Sequence, residues 1–205
     1  KVNINGLKFR SIGPALTAGR IADIAVNENN PKEYYVAVAS GGVWKTSNAG
    51  NTYQPIFDSQ SSFSIGCVTI DPNNEHVVWV GTGENNNQRS VAYGDGIYKS
   101  LDGGKSWKNM GLKSSEHIGM IAVHPSNSNV VFAAAYGPLW KEGGDRGLYK
   151  TSNGGNEWEL VLKVDEHTGI NEIHLDPRDP SVMYATSHQR RRHVFTYVGG
   201  GPGSQ

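Results

Sequence analysis

Short apolar stretches that alternate with polar residues recur along this chain, and each is closed by a turn sequence. The run at 65–70 is followed by the polar turn at 71–74 and then by a second apolar run at 77–81. Alternation with a period of two over five or six residues predicts β-strands, and Asn, Asp, Gly and Pro predict the turns between them. The predicted strands are 20–26, 34–39, 42–46 and 53–57, then 65–70, 77–81, 96–100 and 107–110, then 118–123, 130–135, 147–151 and 158–162.

A ten-residue segment appears three times, at 44–53, 98–107 and 149–158. Its lysines, Lys45, Lys99 and Lys150, are 54 and 51 residues apart, and a regular period of this size indicates a repeat architecture. In each copy a Ser or Thr precedes an Asx residue, a glycine follows, and an aromatic ring begins the return strand. The glycine supplies a positive φ, so each copy predicts a hairpin turn. We assign these residues a structural role: Asn48, Gly50, Ser100, Asp102, Gly104, Trp107, Asn153, Gly155 and Trp158.

The repeated segment resembles the Asp-box, or BNR, repeat, Ser-x-Asp-x-Gly-x-x-Trp, which 100–107 matches in full. The phrases at 41–46, 80–85, 94–100 and 189–193 also resemble a bacterial group of sortilin-like proteins labelled "glycosyl hydrolase, BNR repeat". The resemblance covers essentially the whole chain. It implies an all-β fold, an Asp-box β-propeller, in a protein that is secreted, periplasmic or at the bacterial cell surface.

The order of predicted strands is that of propeller blades, from the inner strand outward. Blade 1 is expected at about 20–57, blade 2 at 64–111, blade 3 at 117–162 and a partial blade 4 at 168–205, with 9–14 as a possible closing strand. About three and a half four-stranded blades do not close a ring of four to eight. We therefore expect the N-terminal part of one larger propeller, whose remaining blades or a partner chain cover the open edge.

Composition narrows the classes of function. The chain has 19 Lys plus Arg and 19 Asp plus Glu in 205 residues, so no net field attracts nucleic acid, and no apolar run approaches a membrane span. Cys67 is the single cysteine and lies in an apolar alternation, which favours a buried position. The Glu-His pairs at 116–117 and 166–167 are interpreted as inherited with the repeat, and we expect no metal and no cofactor.

Antiparallel strands sort the loops onto two faces. The repeated turns and the Asp-Pro-Asn turns share a scaffold face, whereas the long loops 82–95, 136–146 and 187–204 share the other, here called the loop-rich face. Long polar loops on a rigid scaffold are typical of a binding surface. The run 190–192 is interpreted as solvated, with an anion site as the alternative. The candidate ligand-binding residues are Arg20, Glu84, Asn85, Arg89, Tyr93, Asp95, His117, Tyr136, Trp140, Arg146, His188 and Arg190.

Three hypotheses for function follow. The first is a binding or interaction module that recognises a glycan or a protein through the loop-rich face, and it predicts exposed rings at Tyr93, Tyr136 and Trp140. The second is a glycoside hydrolase that uses Asp23 or Glu84, weak candidates, with a second carboxylate beyond this chain, since hydrolysis needs two. The third is a structural assembly domain with a large flat apolar surface.

Overall fold

The computed structural model describes residues 19–86 and 91–205, and every structural statement below concerns this part of the chain. The possible closing strand at 9–14 and the candidate Arg89 lie outside it. The described residues form an all-β structure of four sheets, with one short 3-10 turn at Lys113–Ser115. Within these residues no helix is long and apolar enough to cross a membrane.

Each sheet is antiparallel, and its strands follow one another in chain order. The first is β1 Ile21–Val26, β2 Tyr34–Val38, β3 Gly42–Thr46 and β4 Gln54–Pro55; the second is β5 Ile65–Asp71, β6 Asn74–Thr82, β7 Ile97–Ser100 and β8 Lys108–Gly111; the third is β9 Ile118–His124, β10 Asn127–Ala135, β11 Gly147–Thr151 and β12 Glu159–Leu162; the fourth is β13 Thr168–Leu175, β14 Met183–Arg192 and β15 Tyr197–Gly199.

The four sheets are arranged as consecutive blades of a β-propeller. The first strand of each sheet contacts the first strand of the next, so β1, β5, β9 and β13 lie side by side around one axis. Three apolar clusters fill the spaces between successive blades. The second of these spaces is centred on Trp79 and Ile118, both fully buried, and burial of a side chain of this size contributes about 1.5–3 kcal/mol. The predicted fold class is confirmed.

The three repeated segments form the same turn. In the middle copy the Ser100 hydroxyl accepts a hydrogen bond from the Gly104 N–H at 2.8 Å, and the Asp102 carboxylate accepts one from the Ser106 N–H at 2.9 Å. Thr46 with Asn48, and Thr151 with Asn153, make the equivalent bonds in the other copies. The predicted positive φ is present at all three repeat glycines, with values of 83°, 91° and 96°.

These turns also join each blade to the next. Lys45 of the first blade donates to the Gly103 carbonyl of the second at 3.2 Å, and Lys99 of the second donates to Gly154 of the third at 3.1 Å. In the opposite direction, the indole N–H of Trp107 donates to Ile56 of the preceding blade at 2.8 Å. Trp158 donates to Met110 in the same way at 2.8 Å. The repeated residues therefore hold the blades together as well as shaping the turns.

The fourth blade differs from the sequence-based expectation. Residues 187–204 were expected to form a loop, but β14 continues to Arg192 and pairs with β15 through Arg190 and Gly199. The sequence pattern missed these strands because they carry arginines and glycines in place of alternating apolar residues. Backbone pairing and contact with blade 3 hold them, including a bond of 2.9 Å from the Arg192 N–H to the Leu139 carbonyl.

Cys67 is 2% exposed in the cluster between the second and third blades, as the sequence predicts. Burial raises the pKa of its thiol far above the usual range, and the nearby Asp23 carboxylate adds to this effect. The thiol is therefore a packing group at neutral pH.

The repeated turn generates a prediction about acid stability. Hydrogen bonds from Ser106 and Ser100 lower the pKa of Asp102 to about 2, so its contribution to stability is complete above about pH 4 and is lost as the pH falls to about 2. We expect Asp102→Asn, which converts this turn to the asparagine form of its neighbours, to be less stable than wild type at pH 6. The difference should shrink towards pH 2. Thermal unfolding midpoints across this range test it, and a difference that does not vary with pH would contradict it.

Candidate functional site

Every inner strand carries a β-bulge at the same position. In each blade one residue of the first strand is skipped in its pairing with the second strand, immediately after an isoleucine. Bulges bend a strand and redirect side chains, and they are frequent next to active sites. The skipped residues are Ala22, Gly66, Gly119 and Asn171.

Two of the four bulge residues are glycines, and the inner strands approach each other closely at both of them. A Cβ added at Gly66 would lie 2.1 Å from the Ile118 carbonyl oxygen of the next blade, and one added at Gly119 would lie 2.5 Å from the Asn171 carbonyl oxygen. No side chain fits at these distances. The glycines therefore allow the inner strands to pack against each other at the end of the propeller axis on the loop-rich face.

A pocket of about 390 Å³ lies where the four bulges meet, and we call it the axial pocket. Its walls combine inner-strand residues with residues from the loops that follow β6 and β10, and with one residue of β14. The lining residues are Ala22, Asp23, Gly66, Asn85, Asn86, Gly119, Met120, Tyr136, Asn171, Glu172 and His188.

The loop after β6 is fixed at the pocket by its asparagines. The Asn85 side-chain amide donates to the carbonyl of Gly119 at 3.0 Å and more weakly to that of Gly66 at 3.4 Å, so it is hydrogen-bonded to two bulge residues. Glu84 is 2% exposed, is bonded by the Asn86 side-chain amide and forms an ion pair with Arg20 of the first blade. These bonds place two asparagine side chains at the wall of the pocket.

Tyr136 and His188 occupy equivalent positions in blades 3 and 4. Each follows the residue that pairs with the isoleucine before the bulge, which is Ala135 in blade 3 and Ser187 in blade 4. The Tyr136 hydroxyl and His188 Nδ1 are hydrogen-bonded. Burial raises the pKa of Tyr136 to about 12, so its hydroxyl is protonated at neutral pH. Burial, and then the Arg190 charge, lower the pKa of His188, which favours the neutral imidazole. The two side chains therefore form a neutral pair, in which one hydrogen bond joins the tyrosine hydroxyl and Nδ1.

Several predicted residues are joined in one chain of contacts around the pocket. Arg20 forms an ion pair with Glu84, whose carboxylate also accepts a hydrogen bond from the Asn86 side chain. The Asn86 backbone carbonyl accepts a hydrogen bond from Arg190 at 2.8 Å. The Arg190 guanidinium in turn lies 4.1 Å above the Tyr136 ring. Asn86 is the link that the sequence reasoning missed. The sequence reasoning also missed Asn171 and Glu172. Alignment of the inner strands by repeat places Glu172 at the position of Asp23, and Asn171 at that of Ala22.

Two carboxylates, Asp23 and Glu172, line the axial pocket. Both oxygens of Asp23 accept backbone N–H groups, from Ile24 at 2.8 Å and from Val68 at 3.0 Å, so this side chain also joins the first two blades. Glu172 is exposed. Glu84, the other weak catalytic candidate, is buried in its ion pair behind the wall.

The remaining candidates lie away from the axial pocket. Tyr93 and Trp140 are 72% and 54% exposed, as expected, whereas Tyr136 was expected to be exposed and is 3% exposed because it packs under Arg190. Asp95 accepts from Tyr98 at 2.6 Å and from Ser61, which orders its own loop. His117 is buried, and burial followed by the charge of Arg190 keeps its pKa well below the usual range.

Arg146 is buried and holds the loop 136–146 closed through hydrogen bonds to its backbone, and we call this arrangement the Arg146 staple. Its side chain is 1% exposed, and its five N–H donors all reach backbone carbonyls. The acceptors are Tyr136, Pro138, Lys141, Gly143 and His167, at 2.6–3.3 Å. Burial, and then the charges of Arg191 and Arg190, lower the pKa of Arg146 to about 10, so it stays charged at neutral pH. No donor remains for a ligand.

The expectation of a solvated arginine run at 190–192 is wrong. Arg190 is 1% exposed and Arg191 is 9% exposed, and Arg192 lies 5.7 Å above the Trp140 ring. The run belongs to β14, which packs against the loop of blade 3, so its side chains are covered by that loop and by β15.

A second and larger cavity, of about 710 Å³, follows the inner strands towards the scaffold face. Its walls are the short turns 27–29 and 71–76 and the outward surface of β9, which repeat between blades. We place the candidate site at the axial pocket because the loops that differ between blades converge there. Among the described residues, no group of three or more His, Cys, Asp or Glu side chains is placed to hold a metal ion.

Comparison with known proteins supports the fold. No family model matches the chain. It is 27% identical over 164 residues to a probable oligoxyloglucan-reducing end-specific xyloglucanase of Neosartorya fischeri, an alignment that covers 76% of this chain and 18% of that protein. The chain therefore spans about a fifth of the length of this curated relative.

Solved structures also support the β-propeller fold. An ancestral GH74 enzyme superposes with a TM-score of 0.66 at 22% identity, covering 83% of this chain and 22% of the other. The GH74 xyloglucanase of Xanthomonas campestris gives 0.60 at 16% identity, over 89% and 29%. An auxiliary nutrient binding protein of Bacteroides thetaiotaomicron gives 0.54 at 12% identity, over 88% and 42%. At these identities the likeness establishes the β-propeller fold alone.

The bulge glycines generate a prediction about packing. We expect Gly66→Ala to lower the free energy of unfolding by about 1–3 kcal/mol, because the new methyl group meets backbone oxygen that cannot move without shifting a strand. The control is Gly41→Ala, whose methyl group meets only the Val38 side chain. Urea unfolding of both variants tests the idea, and equal losses would argue against it.

The Arg146 staple generates a second prediction. Arg146→Lys keeps the charge but supplies at most three donors, so several buried carbonyls lose their partners, and we expect a loss of about 3 kcal/mol or more in unfolding free energy. Hydrogen exchange should quicken in 136–146. Arg178→Lys is the matched control, since the Arg178 side chain is 85% exposed and its replacement should cost less than about 0.5 kcal/mol. A loss no larger than that of the control would refute the staple role.

Proposed function

We propose that this chain is part of an Asp-box β-propeller that acts outside the cytoplasm and recognises a glycan through the axial pocket on its loop-rich face. The observation that carries the proposal is the convergence of four strand bulges and two irregular loops on one pocket. The walls offer amides, a tyrosine–histidine pair and two carboxylates. Such groups, held rigidly by backbone bonds, suit the hydroxyl groups of a sugar. The rest of the propeller, or a partner chain, would cover the open edge.

The comparisons support this choice of ligand class. The sequence relative is named as a xyloglucanase, two structural neighbours are GH74 enzymes, and a third is a nutrient binding protein. The three repeated turns, with their Ser or Thr, Asx and Gly bonds, support the Asp-box interpretation. The exposed rings of the loop-rich face are the alternative place for the binding site, and the experiment below separates the two places.

A glycoside hydrolase is the second candidate, and one observation favours it. Asp23 and Glu172 line the same pocket, which places two carboxylates from this chain around one potential substrate. Glycoside hydrolysis needs such a pair, one as acid and the other as nucleophile or base. Against this, both oxygens of Asp23 already accept backbone N–H groups, one of them from the second blade, which gives this side chain a structural role.

Calorimetric titration of the full chain with xyloglucan oligosaccharides tests the proposed binding. We expect His188→Ala to weaken binding about tenfold, because it removes one hydrogen-bond donor from the pocket and frees the Tyr136 hydroxyl. Trp140→Ala is the control, since this exposed ring does not line the pocket. Unchanged binding by His188→Ala, together with loss of binding by Trp140→Ala, would show that the oligosaccharide binds at the exposed rings and not in the axial pocket.

Release of reducing sugar from the same oligosaccharides separates binding from hydrolysis. If the pocket only binds, wild type and Glu172→Gln both release none, whereas the hydrolase candidate requires turnover by wild type that Glu172→Gln and Asp23→Asn each reduce by at least about a hundredfold.

A further inference from the structure

The three consecutive arginines of β14, 190–192, each have a buried N–H group without a partner among the described residues. Arg190 is 1% exposed, and neither its Nε nor its Nη2 has a hydrogen-bond partner among the described residues. Arg191 is 9% exposed, and its Nε and Nη1 also have no hydrogen-bond partner among the described residues. Buried polar groups are nearly always bonded, because each unpaired one costs free energy. These donors therefore call for an acceptor.

The unpaired atoms of Arg190 form one edge of its guanidinium. Nε–H and Nη2–H point the same way and are spaced like the two oxygens of a carboxylate, which they bind in a bidentate manner. The same edge is in use elsewhere in this protein, where Arg178 donates from Nε to Asp176 Oδ1 at 3.0 Å and from Nη2 to Oδ2 at 2.7 Å. Arg190 thus presents a carboxylate-shaped donor pair.

No acidic residue of this chain takes that place. Among residues 19–86 and 91–205, no carboxylate lies within ion-pair distance of Arg190 or Arg191. The residues outside the described part, 1–18 and 87–90, include neither Asp nor Glu. Burial lowers the pKa of Arg190, with Tyr136 and Tyr197 opposing the change, but a guanidinium remains charged at neutral pH. A buried charge without a counter-charge is costly.

Arg190 lies directly behind the wall of the axial pocket. Its Nη1 donates to the Asn86 carbonyl at 2.8 Å, and its guanidinium covers the Tyr136 ring at 4.1 Å. Asn86 and Tyr136 both line the pocket. Arg190 itself does not line the pocket, and its contacts with the pocket wall are those to Asn86 and Tyr136. Asp23 and Glu172 are the acidic groups on the pocket side, and they would select hydroxyl groups on the same ligand.

We propose that the Nε and Nη2 groups of Arg190 form a carboxylate-binding site behind the wall of the axial pocket. The carboxylate belongs either to a small ligand, such as a sugar acid whose hydroxyl groups contact the pocket, or to an acidic side chain from a part of the protein beyond this chain. The site does not depend on recognition of neutral glycans, since a simple carboxylate such as acetate is enough to test it.

The test is nuclear magnetic resonance of the arginine Nε–H groups in the full chain, titrated with sodium acetate and with sodium glucuronate. Sodium chloride at equal ionic strength is the control for screening. The Arg190 signal is assigned in wild-type protein by triple-resonance experiments, and its loss in Arg190→Lys checks the assignment. We expect it to move downfield and saturate, while the Arg178 signal, already bonded to Asp176, stays in place. Arg190→Lys should bind glucuronate about tenfold or more weakly, and Arg178→Lys should bind it like wild type.

The outcomes separate the two sources. Movement on adding acetate or glucuronate assigns the site to a ligand carboxylate. A signal that neither salt moves in this chain, but that lies downfield in a longer protein that includes the remaining blades, assigns the site to an acidic side chain of that part. A signal at the position of a free guanidinium in both proteins, unmoved by either salt, overturns the proposal. This readout uses wild-type protein, so it decides the matter even if Arg190→Lys does not fold.

Discussion

The structure depends on the bonds that the repeated turns make between blades. A single four-stranded sheet cannot bury both of its faces, and it becomes stable only when it packs on the next. Here the lysine of one repeat reaches the turn of the next, and the tryptophan of the next repeat reaches back, as Lys99 and Trp158 do between the second and third blades. The two bonds run in opposite directions across one apolar layer, so they fix the angle between blades as well as their distance.

That fixed angle forces the inner strands together at one end of the axis. Glycines occupy the bulges at 66 and 119, because a side chain there would collide with the backbone of the next blade. The carbonyls of these two bulge residues accept hydrogen bonds from the Asn85 side chain. The axial pocket is thus a product of blade packing, while the loops only complete its wall.

Two buried arginines on this face show how differently the same side chain is used. Arg146 places all five donors on backbone carbonyls and holds one loop closed. Arg190 uses one donor and an aromatic ring, and its carboxylate-shaped edge stays unpaired. The first is a structural role that the loop itself satisfies, whereas the second points to an acceptor from outside this chain.

The sequence by itself determined the fold class, the three repeated turns and most strands of the first three blades, because alternation and turn chemistry are local. It also identified Tyr136, His188, Arg190 and Asn85 as residues of one face. It did not show which of them meet, since Asn86 and Arg190 are 104 residues apart and are joined only by the circular order of blades. Burial of the arginines, the third strand of blade 4 and the four bulges were decided by the tertiary structure, because each depends on how closely one blade packs on the next.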